Sequence, residues 1–278
     1  MKLKTVLLVS LLMLAKFSNA QNFKLLRYDE DHSALKDSAR TFYNRLKYLP
    51  LSEGGRTYVS FGGELRAELD LAQHEDWGAR NIGRNIFLLQ RYQLHADLHL
   101  SDRVRIFGQL RSGLENGRKN GPRPIDEDQL NVQNLFIDLI PYKGMDDKMT
   151  IRVGRQELQY GSGRLLDVRE GPNLRLYFDG AKVAYSSPKW NVDAFVMAAG
   201  RVKTGVFDNP ISRKSILWGI YSTHAVAKML NIDLYYLGID RAEAGFDDGV
   251  AAGSRHTVGT RLWAYGNELL YNFEFGYV

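Results

Sequence analysis

From Arg91 to Gly113 the chain reads RYQLHADLHLSDRVRIFGQLRSG, with a polar or charged residue at almost every second position. Side chains along a strand alternate between two faces, so Tyr92, Leu94, Ala96, Leu98 and Leu100 share one side and Arg91, Gln93, His95, Asp97 and His99 the other. After Ser101-Asp102 the pattern restarts, with Val104, Ile106 and Leu110 opposite Arg105, Gln109 and Arg111. The same period of two recurs in SFGGELRAELD, where Leu65, Ala67 and Leu69 oppose Glu64, Arg66, Glu68 and Asp70. In NVQNLFIDLI, Leu135, Ile137 and Leu139 oppose Asn134, Phe136 and Asp138. Counting from Tyr58, about eleven such segments are expected. Before them, Leu35, Ala39, Phe42 and Leu46 recur at helical spacing behind Asp31 and Ser33, which predicts an amphipathic helix over about Asp29 to Leu49.

The connections sort as regularly as the strands. Short links (SD, SPKW, KML, GN) alternate with long polar ones such as HEDWGARNIGRN, LENGRKNGPRPIDED, GSGRLLDVREGPNLRLYFDG and RVKTGVFDNPISRK. A soluble sandwich also has one wet sheet face, but it has no reason to sort its loops. A membrane barrel does, with short turns at one rim, long loops at the other and strands that are apolar outside and polar inside. Mean hydropathy is −0.32. No run beyond the N-terminus reaches the roughly 18 apolar residues of a spanning helix. The predicted class is therefore all-β, an antiparallel transmembrane β-barrel preceded by a short helix. Closure is required because unpaired backbone groups in hydrocarbon cost several kcal/mol each. Tyr58, Trp190, Trp218, Trp263 and Tyr277 lie near strand ends, where interfacial aromatics belong.

The N-terminus adds a destination. Lys2 and Lys4, an apolar run from Thr5 to Ala15, and Ser18-Asn19-Ala20 form a secretory signal over residues 1–20. Residues 21–57 are then a periplasmic segment carrying the helix, and 58–278 the barrel. The 278 residues contain no cysteine, which excludes disulfides and thiolate sites. A formal charge of +5 on an exported chain argues for an anionic solute or surface and against nucleic acid. No cofactor, metal site or catalytic residue is expected.

Several phrases resemble a known family: LLQRYQLHADLHL, GQLRSGLENGRKNGPRPIDED, RVGRQELQYGSGRLLDVREGPNLR and FDGAKVAY are similar to the alginate export family of outer-membrane barrels. That resemblance covers about Tyr28 to Tyr185 and implies a porin-sized barrel of roughly 16–18 strands. It also implies an arginine-rich lumen that passes an alginate-like anionic polysaccharide outward. Lipopolysaccharide and the outer-membrane lipids are the implied surroundings, and periplasmic export machinery a further candidate partner.

Strand parity supplies the expected lining. Arg66, Arg91, Arg105, Arg111, Arg152, Arg155, Arg261 and Lys182 are the candidate cations, interleaved with Glu64, Glu68, Asp97, Asp138 and Glu274. Arg155 strains the pattern because it shares parity with Ile151 and Val153, so a bulge near Gly154 or emergence above the membrane is expected. The loop arginines Arg164, Arg169 and Arg175 either fold inward to narrow the mouth or face lipopolysaccharide phosphates. Arg118 and Lys119 read as exposed loop charges. Two other readings stay open. One is a barrel hydrolase using His95, His99 and Asp97, although no GxSxG elbow accompanies them. The other is a plugged structural or adhesive barrel. An odd strand count leaves the last strand ending outside, so the chain reads as part of a longer protein, with a complete barrel of ten or twelve strands as the alternative.

Overall fold

The computed structural model describes residues 23–38, 41–78, 83–246, 249–265 and 270–278. The predicted signal segment, the Gly266-Asn267 link, Ala39 and Leu269 lie outside the described residues. The chain divides into two compact units, Met1–Asp31 and His32–Val278. The described part of the first holds a 3-10 turn over Arg27–Asp29, an Arg27–Glu30 ion pair at 3.1 Å and Arg27 over the ring of Phe23.

The second unit is one antiparallel sheet of twelve strands in strict sequence order. A two-residue β1 (Leu49–Pro50) precedes β2 (Tyr58–Ala72), β3 (Asn85–Ser101), β4 (Val104–Asn116) and β5 (Asp128–Lys143). Then follow β6 (Lys148–Gln156), β7 (Phe178–Ser186), β8 (Trp190–Ala199) and β9 (Ser215–Ala227). β10 (Leu230–Phe246), β11 (Gly249–Tyr265) and β12 (Leu270–Tyr277) complete it. Eleven of these strands lie from Tyr58 onward. No helix among the described residues is long and apolar enough to cross a membrane.

The predicted helix over Asp29–Leu49 is corrected. A 3-10 turn covers Ser33–Asp37, and the α-helix, α1, is only Phe42–Lys47. Thr41 caps it by accepting from the Asn44 backbone N–H at 3.2 Å. At the other end Tyr48 is extended, donates its hydroxyl to the Gly55 carbonyl and stacks on Tyr58 at 4.4 Å. So short a helix has little stability of its own and is held by its contacts at Tyr48, while extended backbone at Ser38 and Thr41 separates it from the 3-10 turn before it. The face meant for burial stays open, with Phe42 82% exposed.

Burial in the strands is inverted relative to a soluble protein. Leu65 is 80% and Leu94 69% exposed, whereas Arg91 and Arg111 are 1% and 0%. Leu135, Ile137, Leu139, Val183, Val196, Ile220, Leu234, Val258 and Phe273 extend the exposed apolar face across the sheet. Soluble proteins rarely leave a contiguous apolar patch beyond a few hundred Å². The outer face is built for hydrocarbon.

The sheet is also curled. Arg66 of β2 donates to the Glu170 carbonyl at 3.0 Å, and Ser162 donates to Glu274 of β12 at 2.6 Å. Ten steps in the strand order separate β2 from β12. In a flat sheet these would span about 48 Å at about 4.8 Å each. The eight residues from Ser162 to Glu170 reach at most about 28 Å, and strand side chains stand roughly perpendicular to the sheet, adding little sideways. The wall must therefore bend around the segment between β6 and β7. Among the described residues β12 makes no ladder with β2.

Candidate functional site

The inner face of β2–β6 is a ladder of ion pairs. Arg105 grips Asp97 through two bonds of 2.7 and 2.9 Å, and Arg152 grips Asp138 in the same way. Arg105 also lies 3.6 Å from Asp138, which links the two forks. Arg111 is paired with Asp128, and both are fully buried. The register explains the choice of partners. Asp138 stands opposite both Arg105 and Arg152, so those pairs form straight across. Arg66 stands opposite Arg91, an unfavourable match that Arg91 leaves diagonally and Arg66 along its own strand. Arg91 turns to Glu64 at 2.7 Å, and Arg66 to Glu68. Further round, Lys182 pairs with Asp193 at 3.0 Å and Arg261 with Asp233 at 3.2 Å. A bare positive wall is not what the sequence builds here; each of these cations has a carboxylate.

The segment 157–177 lies inside this wall and is anchored on both sides. Toward β2–β5, Arg175 is buried among Glu64, Glu157 and Glu170. Asn173 donates to the carbonyls of Gln90 and Asp126 at 3.0 and 2.9 Å. Toward β7–β10, Leu158 and Leu166 enter an apolar cluster with Phe178, Phe195, Met197, Leu217, Tyr221, Tyr235 and Leu237. Glu157 is fully buried, and burial pushes its carboxyl above the usual range despite the Arg175 guanidinium and hydrogen bonds from Gln133 and Asn134. For Glu170 burial also acts upward, but hydrogen bonds and charge from Arg175 and Arg91 outweigh it and hold the carboxyl low.

The placement of the expected residues divides. Arg66, Arg91, Arg105, Arg111, Arg152, Arg261 and Lys182, with Glu64, Glu68, Asp97, Asp138 and Glu274, stand on the inner phase. Arg155 does not. It faces Leu135 and Asp179 across the ladder, on the outer phase, and binds Asp179 at 2.8 and 3.1 Å. It also donates to the Val132 and Asn209 carbonyls, so the loop after β8 covers it. No register shift occurs at Gly154, whose φ of 136° instead lets β6 pass close to Leu135 and Phe136. The shifts near it lie between Gln109 and Leu110, between Arg111 and Gly113, and between Leu139 and Tyr142. Of the loop arginines, Arg175 turns inward while Arg164 and Arg169 are exposed. Arg118 is not an exposed charge, because it binds Glu75 and Glu115 and covers the Phe87 ring at 3.6 Å. Trp190, Trp218 and Tyr277 stand on the outer phase, but Tyr58 stacks inward on His99 and Trp263 donates inward to Asp233. His99 contacts Asp97 at 3.2 Å, and His95 stacks on Phe107. Asp128, Glu157, Glu170 and Asp233 were not singled out from the sequence; the first and third sit in long polar links that carry no periodicity.

A curled antiparallel wall with an apolar exterior and a charged interior is the architecture of an outer-membrane β-barrel wall. The model of the alginate export family matches residues 57–278. The chain belongs to that family. Among solved structures it is similar to OccAB1 of Acinetobacter baumannii, at 12% identity and a TM-score of 0.45, over 78% of this chain. The match covers 55% of OccAB1, so the chain spans about half that protein's length. No curated protein matches.

Proposed function

We propose that the inner face is the lining of an outer-membrane passage for an anionic, alginate-like polysaccharide. The observation that carries this reading is the chain of guanidinium–carboxylate forks through Arg91, Arg105 and Arg152. A planar fork recognises a carboxylate whether it belongs to the wall or to a uronate sugar. A solute carboxylate can therefore exchange with a protein one, and the resident acids keep each stop shallow, as conduction requires. In this reading residues 1–20 direct export, 21–57 lie in the periplasm where export machinery could dock, and Arg164 and Arg169 face the lipopolysaccharide. The test is planar-bilayer conductance of the purified protein. Anion preference and block by oligouronates are expected; a neutral, unblocked pore would refute the reading. Segment 157–177 favours a second one, a plugged barrel, which predicts no solute-dependent current.

A further inference from the structure

Glu170 is a carboxylate of the inward segment seated on the arginines of the wall. Arg91 and Arg175 both donate to its side chain, and Arg66 donates to its carbonyl. The exposures are unequal: Glu170 is 44% exposed at the side chain, while Arg91 and Arg175 beneath it are 1% and 2%. Nη1 of Arg91 is buried and makes no hydrogen bond among the described residues. The segment does not depend on Glu170 to stay in place. Leu176 N–H donates to Val168, Leu174 N–H to Ile125, and Asn173 is held by three carbonyls. Glu170 sits on a turn between Arg169, at φ 58°, and Gly171, so its side chain can leave while both flanks stay clamped.

We infer that Arg91 and Arg175, with Arg66 at the rim, form a binding site for the carboxylate of a uronic-acid sugar, which Glu170 occupies as an internal stand-in and surrenders to the solute. The inference rests on the anionic-polysaccharide reading and names one site where such a chain is gripped. Two fixed guanidiniums present converging N–H groups that fit a planar carboxylate and offer nothing comparable to a neutral hydroxyl. Because the stand-in is tethered, it competes at high effective concentration, and its removal strengthens binding of a free carboxylate.

The experiment is calorimetric titration of the full chain in detergent with a mannuronate trimer and with neutral mannotriose. Glu170→Gln is expected to bind the charged trimer about tenfold more tightly than wild type and mannotriose no better. Glu170→Asp, still charged but shorter, should fall between them, and adding Arg91→Gln to Glu170→Gln should abolish the gain. Equal affinities for wild type and Glu170→Gln, or a matching gain for mannotriose, overturn the inference. If wild type is anion-selective in bilayers while Glu170→Gln gains nothing, this site alone is refuted. Loss of anion selectivity itself refutes the channel reading beneath it.

Discussion

The inner face of β2–β6 holds the 157–177 segment mainly by charge and hydrogen bonds, that of β7–β10 mainly by apolar burial. On the first, Arg91, Gln133 and Arg111 donate to Glu170, Glu157 and the Arg175 carbonyl, the Gln90 carbonyl accepts from Asn173, and Glu64 lies 3.7 Å from the Arg175 guanidinium. On the second, Leu158 and Leu166 sink among Phe195, Met197, Leu217 and Leu237, and the Tyr160 hydroxyl, donating to Asp193 at 2.7 Å, adds one directed bond. Apolar burial tolerates small displacements, whereas charge pairs tolerate few, because a buried ion without its partner is costly. The charged side therefore sets the segment's position and chemistry, and the apolar side adds burial.

The largest expected effect breaks the charged side. Arg111→Met leaves Asp128 buried without its guanidinium and should cost about 3–5 kcal/mol, read as a fall in Tm of the detergent-solubilised protein. Arg111→Met with Asp128→Leu should recover much of it, since an apolar pair of similar volume carries no stranded charge. No recovery in the double variant would show that Arg111 acts through Gln133 and the Arg175 carbonyl instead.

On the apolar side, Leu158→Ala should cost about 2–5 kcal/mol through the cavity it opens. Proteolysis of the 157–177 segment should rise as well. Salt should leave this loss unchanged, since no charge is removed. A loss that varies strongly with ionic strength would erase the contrast between the two sides.

Smaller and conditional is the contribution of Glu170. Its carboxyl is held low, so its clamp is complete above the unfolded value of about 4.3 and is lost as pH falls through the lower folded value. The Tm difference between wild type and Glu170→Gln should be constant above about pH 5 and vanish well below pH 4. A difference that instead grows with acidification reverses the sign and denies the clamp. Least of all, Lys214→Ala should leave Tm unchanged, because the Lys214–Glu243 pair is exposed on both sides.

Much of the wall was legible from the chain. A period of two separates Leu94 from Arg91 wherever the backbone is extended, and lipid outside with water inside converts that parity into burial. Arg155 shows where parity misleads. Its strand keeps register, but the loop after β8 shields it with Asp179, so an outward charge survives without reaching lipid. The helix expected over Asp29–Leu49 lost its N-terminal half, because the extended backbone at Ser38 and at the Thr41 cap interrupts the helical period before Phe42.

By itself the sequence determined the class and most of the strand phases, because these follow from local alternation and from the solvent on each face. Only the tertiary structure decided the partners. Whether Arg91 meets Glu64, Glu170 or its neighbour Arg66 depends on register and on a segment folding back from about 80 residues away in the chain. Such pairings are fixed by curvature and long-range packing, which one-dimensional spacing does not record.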